Sequence, residues 1–433
     1  MTPGARLAAV IELLPEIAAA RAPVGAVLER YFRQRRYAGS GDRRAITAAV
    51  YDQLRRRARL GWHLERHGLA DTLRSRVIAG AALRPDATPA TVTDLFTGAR
   101  HDAAALDDSE TAFVAAVAGR NLDDAAMSDP VRLEYPDWLD ASLRRAFAAD
   151  LDAEMAAANR PAPLDLRVNQ LKTNRDGARK AFARDGIEVA PTPLSPRGLR
   201  LETPRKIEAT RAYRNGLVEV QDEGSQIVAL LTGAQPGMTV IDYCAGAGGK
   251  TLALAAEMKG RGRLIACDTD EKRLDRLRAR QKRAETHNVE RFVLDADGAA
   301  RPLRKVAVDR VLVDAPCSGS GTWRRDPDAR WRLTPDQLAG FVEQQRAILA
   351  RAASLVKPGG RLVYATCSVL PEENAEQLAR FVSENADFSV LPVAEAWQDP
   401  LAGACPANGN LLQLTPANHG TDGFFVAILL RKP

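Results

Sequence analysis

Two cysteines stand in matching positions, each just past a short apolar run. Cys317 lies in the stretch DAPCSGSG, and Cys367 follows fifty residues later in YATCSVLPEEN. A lone cysteine at the end of a strand is most often a small buried hydrophobic residue. Two cysteines that flank one predicted cleft instead favour nucleophilic chemistry, in which a thiolate attacks a substrate.

The chain from about residue 217 alternates apolar runs with helical segments, and these elements must position both thiols. The runs are TVIDYC, RLIACD, RFVLDA, DRVLVDAP, RLVYATC and, at the end, GFFVAILLRK. Continuous apolar runs are typical of parallel strands that are buried on both faces. The pattern predicts a doubly wound α/β domain with ligands at the carboxyl ends of its strands, so both thiols would open into one crevice.

The first of these strands leads into a glycine loop and then a helix. The loop is Cys244-Ala245-Gly246-Ala247-Gly248-Gly249-Lys250-Thr251. Glycines let the backbone approach a ligand closely, and the start of a helix offers free N–H donors. The nucleotide P-loop pattern fails because position 244 is Cys, and the dinucleotide pattern fails because position 251 is Thr. Both failures are narrow, so phosphate binding is the second interpretation of this loop.

Three acids occur at or near the ends of later strands: Asp268, Asp297 and Asp314. Asp268 lies 19 residues beyond Gly249, a spacing at which an acid can accept hydrogen bonds from ribose hydroxyls. Asp297 would lie at the next strand end, near the adenine. Any one of these acids could simply cap a helix, but three in one sheet pattern favour a site. The pattern fits an S-adenosylmethionine pocket as well as a dinucleotide pocket.

Composition narrows the class of protein. The chain has 433 residues, of which 45% are hydrophobic and only five are cysteines. An odd, small number of cysteines with no CxxC pair predicts neither a disulfide framework nor a metal site. No run of about 18 apolar residues and no signal peptide is apparent, so we expect a cytoplasmic protein without a membrane segment.

The pattern along the chain predicts three domains: residues 1–145, 146–215 and 216–433. The first shows apolar residues at three- and four-residue spacing and is predicted to be all-helical, and the second mixes short strands with one helix. Residues 1–100 carry 17 basic against 9 acidic residues, a balance that suits a phosphate backbone. The densest basic cluster, which we expect to contact such a backbone, consists of Arg33, Arg35, Arg36, Arg43 and Arg44.

Taken together, the motifs YCAGAGGKT, DAPCSGSG, TWRRDPDARW and YATCSVLPEEN resemble the RsmB/NOP/Sun family of RNA 5-methylcytosine methyltransferases. The N-terminal helical block resembles the NusB-like RNA-binding domain of the family's bacterial ribosomal-RNA member. The resemblance implies a Rossmann-like class I methyltransferase domain, preceded by a small α+β module and an all-α NusB-like domain. It also implies S-adenosyl-L-methionine as cofactor and RNA, in particular 16S ribosomal RNA, as partner. Separately, we expect a monomer without a bound metal. The glycine loop departs from the family at Ala247, where proline is usual.

The resemblance also assigns roles. Cytosine C5 is too weak a nucleophile to take a methyl group directly, so a thiolate first adds to C6. Cys367 matches the attacking thiolate, Cys317 the group that helps to release the adduct, and Asp314 the residue that hydrogen-bonds the N3/N4 edge of the cytosine. The residues expected to bind the cofactor are Cys244, Ala245, Gly246, Ala247, Gly248, Gly249, Lys250, Asp268, Asp297 and Asp314.

Several alternatives stay open at this point. The GGKT stretch suggests a nucleotide-hydrolysing RNA remodeller, although residue 244 and the lack of a second acidic motif argue against it. A non-catalytic RNA-binding assembly factor is another possibility. Pro316-Cys317 superficially fits the DNA-cytosine enzymes, but the TCS motif and the helical block favour RNA. After DAPC come Trp323, Arg324, Arg325, Arg330 and Trp331, which either bind RNA or pack beneath the loop.

Overall fold

A computed structural model describes residues 1–433 except 21, 204, 296–302, 304–305, 402 and 408. The chain divides into two compact units. Unit 1 comprises Met1–Arg144 and Arg325–Leu333, and unit 2 comprises Arg145–Arg324 and Thr334–Pro433. In the described part of the chain, no helix is long and apolar enough to cross a membrane.

The described residues of unit 1 form helices and loops only, which confirms the predicted all-helical N-terminal region. The helices up to residue 147 are α1 (Pro3–Ala19), α2 (Val24–Gln34), α3 (Ser40–Arg55), α4 (Arg57–Arg66), α5 (Leu73–Ala82), α6 (Pro89–Thr93), α7 (Asp108–Val117), α8 (Asp129–Leu133) and α9 (Asp140–Phe147). Helix α1 buries Val10, Leu13, Leu14 and Ile17, and this three- and four-residue spacing places its apolar side chains on one face.

The remaining helices are α10 (Leu151–Ala158), α11 (Arg175–Arg184), α12 (Arg211–Arg214), α13 (Glu223–Leu231), α14 (Gly249–Glu257), α15 (Glu271–Ala284), α16 (Ala329–Arg332), α17 (Pro335–Ala353), α18 (Ala375–Glu384), α19 (Val393–Ala396) and α20 (Pro416–His419). The strands are β1 (Leu164–Val168), β2 (Ala190–Pro191), β3 (Gly198–Leu201), β4 (Val218–Val220), β5 (Thr239–Asp242), β6 (Arg263–Asp268), β7 (Val289–Val293), β8 (Val308–Asp314), β9 (Val356–Thr366), β10 (Phe388–Leu391), β11 (Leu412–Leu414) and β12 (Phe424–Arg431). Short 3-10 turns cover Asp137–Leu139, Ala148–Asp150, Ser320–Thr322 and Pro371–Glu373.

A small antiparallel sheet in the order β2-β3-β1-β4 begins unit 2. Leu166 on β1 lies opposite Leu199 on β3 and Val220 on β4. The apolar face of this sheet packs against Ala178 and Phe182 of α11. The small α+β module predicted from the sequence is therefore present.

The large sheet has the order β10-β12-β9-β8-β5-β6-β7, and β11 pairs with β12. Strands β7, β6, β5, β8 and β9 are parallel, whereas β12 runs antiparallel between β9 and β10. The chain leaves β5 towards β6 and β7 on one side and later adds β8 and β9 on the other. The direction in which successive strands are added therefore reverses between β5 and β8. In doubly wound sheets, ligands bind in the crevice at that point.

Both faces of this sheet are covered. On one face Ile241 and Val311 pack with Leu349 of α17, and on the other Val240 and Leu312 pack in the core that contains α13 and α14. Because neighbouring residues of a strand point to opposite faces, a sheet covered on both sides needs continuous apolar runs. The predicted doubly wound, mostly parallel α/β domain is confirmed.

Candidate active site

The glycine loop connects β5 to α14, and its backbone conformation requires glycine at particular positions. Gly246 and Gly248 adopt left-handed φ angles of +55° and +81°. A Cβ atom on Gly248 would lie 2.2 Å from Cδ1 of Leu277, far inside van der Waals contact. The loop therefore needs glycine at this position for both backbone and packing reasons.

Hydrogen bonds from two sides hold the loop. Oδ2 of Asp268 accepts from the Gly246 N–H at 2.7 Å, and Nη1 of Arg280 donates to the Ala247 carbonyl at 2.7 Å. The other oxygen of Asp268 accepts from the Asp270 N–H at 2.8 Å. Each carboxylate oxygen retains a second lone pair, which leaves acceptor capacity for the ribose hydroxyls expected from the sequence. The predicted adenine-side acid, Asp297, lies outside the described residues.

Asp242, the last residue of β5, was missed by the sequence analysis. It is fully buried, one oxygen accepts from the Thr251 hydroxyl at 2.7 Å, and the other oxygen has no hydrogen-bond partner. Burial raises the pKa of Asp242 to about 7, and the charges of Asp314 and Asp268 contribute to the rise. A buried acceptor without a donor fits a cationic ligand. Asp242 could have been identified from the sequence, because it is an acid at the end of the strand that precedes a glycine loop.

Lys250 and Asp314 form an ion pair at the crevice. The Lys250 ammonium lies 2.7 Å from Oδ2 of Asp314 and 5.1 Å from the ring centroid of Phe424. Their side chains are 9% and 31% exposed, respectively. The lysine is thus held inside, whereas the carboxylate at the end of β8 is accessible to a substrate.

The structure brings the two predicted cysteines into contact. The sulfur atoms of Cys317 and Cys367 lie 3.4 Å apart, and both residues are half-buried. The hydrogen bond with Cys367, together with burial, raises the pKa of Cys317 well above that of a free thiol. Cys317 therefore holds its proton at neutral pH. Burial also raises the pKa values of Cys244 and Cys267, which suits a packing role for their thiols.

The aromatic and basic residues after the DAPC motif are largely internal. Trp323 is buried, and Arg324 is a buried residue that pairs with Asp222 and Asp422. Within unit 1, Arg330 is fully buried and donates to the Glu134 carbonyl at 2.7 Å. The sequence left open whether this stretch binds RNA or packs beneath the loop. These three residues are packed inside the protein. No cluster of metal-ligating side chains occurs among the residues that the structure describes.

These features together define a class. The sheet reverses at β5, carries an antiparallel β12 between β9 and β10, and places a glycine loop at the carboxyl end of β5. This is the Rossmann-like architecture of a class I methyltransferase.

Comparison with known proteins identifies the family. The family whose model is described as 16S rRNA methyltransferase RsmB/F matches residues 229–430, and a ferredoxin-like domain of RsmF/B-like methyltransferases matches residues 135–208. A Synechocystis sp. protein named "Probable ribosomal RNA small subunit methyltransferase B" is 35% identical over 72% of this chain and 70% of its own length. The ribosomal RNA small subunit methyltransferase B of Salmonella paratyphi B is also 35% identical, over 72% of this chain and 69% of its own. The chain belongs to the RsmB/F methyltransferase family.

Solved structures agree in fold. The crystal structure of PH0851 has a TM-score of 0.78 and 27% identity and covers 99% of both chains. A methyltransferase homologue from Pyrococcus horikoshii has a TM-score of 0.60 and 29% identity and covers 70% of this chain and 100% of its own. Family membership favours the S-adenosylmethionine interpretation of the glycine loop over phosphate binding. S-adenosyl-L-methionine is the cofactor, and the tight glycine loop and the unpartnered oxygen of Asp242 fit it.

The close approach of Gly248 to Leu277 can be tested with Gly248→Ala. We expect affinity for S-adenosyl-L-methionine to fall about tenfold or more, which corresponds to about 1.4 kcal/mol, because the new methyl group displaces the loop. Isothermal titration calorimetry measures this change. The matched control is Gly260→Ala, since Gly260 is also left-handed (φ +66°) but has no neighbour within 4 Å of the added atom. The control should lose only about 1–2 kcal/mol of stability, and equal affinities in the two variants would contradict the account.

The raised pKa of Asp242 predicts a pH-dependent affinity. Below pH 7 the group is neutral, and above pH 7 it is a carboxylate that attracts the positive charges of the cofactor. Relative to Asp242→Asn, the wild-type protein should gain about tenfold in affinity between pH 6 and pH 8. Calorimetric titrations at several pH values would show this difference. Parallel pH profiles for the two proteins would mean that Asp242 does not titrate in contact with the cofactor.

Proposed function

We propose that this chain transfers a methyl group from S-adenosyl-L-methionine to C5 of a cytosine in RNA, with 16S ribosomal RNA as the substrate. The observation that carries the proposal is the 3.4 Å approach of the Cys317 and Cys367 sulfurs. One thiol would suffice for most packing roles, whereas a thiolate that adds to C6 and later leaves it needs a second group beside its sulfur. The names of the curated relatives support ribosomal RNA as the class of substrate.

The proposed reaction begins at Cys367. Its thiolate adds to cytosine C6, and the electron pair of the C5–C6 double bond moves towards C5, which becomes nucleophilic. S-adenosyl-L-methionine, when bound, supplies the electrophilic methyl group. A base then takes the C5 proton, the C5–C6 double bond re-forms, and Cys367 leaves as a thiolate. Throughout these steps, the crevice at the ends of β8 and β9 holds the cytosine nucleobase, which has left its stack in the RNA.

The neighbouring residues have distinct parts in this proposal. Cys317 holds a proton and lies beside the departing sulfur, so it can donate a hydrogen bond that stabilises the leaving thiolate. Asp314 accepts hydrogen bonds from N4 and from protonated N3, which favours the more electrophilic ring. Lys250 donates to Asp314 at 2.7 Å and thereby fixes the orientation of that carboxylate.

RNA binding by unit 1 is part of the same proposal. Fewer arginines of the basic cluster are available for RNA than the sequence suggested. Arg35 pairs with Glu12 and stacks on Tyr31, and Arg43 donates to the Ala38 carbonyl. These two arginines support the unit itself. The cluster members that are exposed are Arg33, Arg36 and Arg44, and Tyr37 beside them is 74% exposed. An exposed ring among arginines suits an unpaired base and its phosphates.

Three further expectations stay predictions. They are the domain boundaries after residues 145 and 215, the monomeric state and the cytoplasmic location.

The division of labour between the cysteines predicts opposite phenotypes. Cys367→Ala should abolish methyl transfer because no C6 adduct forms. Cys317→Ala should accumulate a protein–RNA adduct that survives a denaturing gel, because release is impaired. Incubation with 16S ribosomal RNA and cofactor, followed by gel analysis and a radiolabelled-methyl assay, measures both. Cys405→Ala is a matched control at a half-buried cysteine in unit 2. Undiminished turnover without any adduct in Cys317→Ala would refute the assigned roles.

The exposed arginines predict a salt-sensitive contribution to RNA affinity. Changing Arg33, Arg36 and Arg44 together to Glu should weaken binding and lower the slope of log affinity against log salt by about 2, because about 0.7 counterions are released per contact. Fluorescence anisotropy with a 16S fragment measures both quantities. The control variant carries three Glu substitutions at other exposed arginines of unit 1, namely Arg84, Arg100 and Arg120. If the two triple variants bind equally well, this cluster is not the RNA contact.

A further inference from the structure

A buried carboxylate that the reaction does not use lies next to both cysteine loops. Glu373 ends the 3-10 turn Pro371–Glu373 and is fully buried. No Lys or Arg forms an ion pair with it in the described part of the chain. Burying a carboxylate without a counter-cation costs several kcal/mol, so other groups must compensate for the charge.

Hydrogen bonds provide that compensation. Oε1 of Glu373 accepts from the Ser318 N–H at 2.8 Å and from Nε2 of Gln345 at 3.0 Å. Oε2 accepts from the Ser318 and Ser368 hydroxyls. Four donors on two oxygens occupy the acceptor sites of an ionised carboxylate, and such charge-assisted bonds are about twice as strong as neutral ones.

Two of the donor residues directly follow the cysteines in sequence. Ser318 comes after Cys317, and Ser368 comes after Cys367, so one side chain connects the two loops. Gln345 adds a third connection, because the same Nε2 atom donates to the carbonyl of Pro316 at 2.9 Å. The backbone on both sides of Cys317 is therefore tied to the residue next to Cys367.

The charge of Glu373 also acts on one of the sulfurs. After the hydrogen bond with Cys367 and burial, the negative charge of Glu373 contributes to the raised pKa of Cys317. A carboxylate at this place therefore disfavours a second thiolate in the crevice. That leaves Cys317 as a thiol beside the attacking sulfur.

We propose that Glu373 is a positioning residue that fixes the spacing and the electrostatic setting of the two cysteine loops. The inference rests on the proposed two-cysteine reaction. Glu373 makes no hydrogen bond to either sulfur and acts through Ser318, Ser368 and Gln345.

The test compares Glu373→Gln with Glu154→Gln. Glu154 is a matched control because it is also buried and accepts from a hydroxyl, Thr415, and a backbone N–H, Ala417, remote from the cysteine loops in sequence. One readout is the pH profile of Cys317 alkylation by iodoacetamide, followed by peptide mass spectrometry without RNA or cofactor. The second is the single-turnover rate of methyl transfer to RNA with saturating cofactor.

We expect Glu373→Gln to alkylate Cys317 at lower pH than the wild-type protein and to transfer methyl groups about 100-fold more slowly. Cofactor affinity should stay within about twofold, because the glycine loop is unchanged. Glu373→Asp keeps the charge but shortens the side chain, so it should retain the wild-type alkylation profile and still transfer slowly. Glu154→Gln should match the wild-type protein in both readouts.

Ser318→Ala and Ser368→Ala cover the case in which the Glu373 variants do not fold. Each removes one hydroxyl donor, and each should slow methyl transfer about tenfold without loss of cofactor binding. The proposal is overturned if Glu373→Gln, or both serine variants, behave like Glu154→Gln. If the wild-type protein itself does not methylate cytosine, the proposed function fails, whereas the alkylation profile still decides whether Glu373 controls the protonation of Cys317.

Discussion

The site depends on the parallel pairing of β8 with β9. This ladder places Asp314 beside Ala365, so the loops that follow the two strands start side by side and their sulfurs meet at 3.4 Å. Parallel neighbours end at the same edge of a sheet, which makes this convergence a consequence of topology. A strand inserted between β8 and β9 would place them two strand spacings apart, about 9.6 Å instead of about 4.8 Å.

The carboxyl-end edge of the large sheet also brings three charged side chains together in largely buried positions. Asp242 ends β5, Asp314 ends β8, and Lys250 lies in the first turn of α14, between them in sequence. Their side chains are held by a hydroxyl, an ammonium and a carboxylate, respectively. Low polarity strengthens each of these interactions and makes unpaired groups costly. In the proposed function, this edge would receive the cationic cofactor near Asp242 and the polar edge of the cytosine near Asp314.

Much of this arrangement could be predicted from the sequence. Buried parallel strands leave continuous apolar runs, and the residues after them, including Cys317 and Cys367, must then share an edge. The loop geometry at Gly248 also follows from its glycine. Asp242 was missed because it belongs to the apolar run itself. Glu373 lies within the YATCSVLPEEN motif, but its role could not be predicted because its partners Ser318 and Gln345 come from distant segments. The burial of Arg324 and Arg330 could not be predicted because Asp422 and Glu134 are distant in sequence.

The central claim is that the sulfur of Cys367 bonds to C6 of a cytosine. An RNA substrate with 5-fluorocytosine at the target position blocks loss of the C5 substituent and so retains the adduct. Proteolysis and tandem mass spectrometry of the trapped wild-type complex would locate the bond. The account predicts the nucleotide on the peptide that contains Cys367. A nucleotide on Cys317, or methylation that proceeds on 5-fluorocytosine RNA without any adduct, would contradict it.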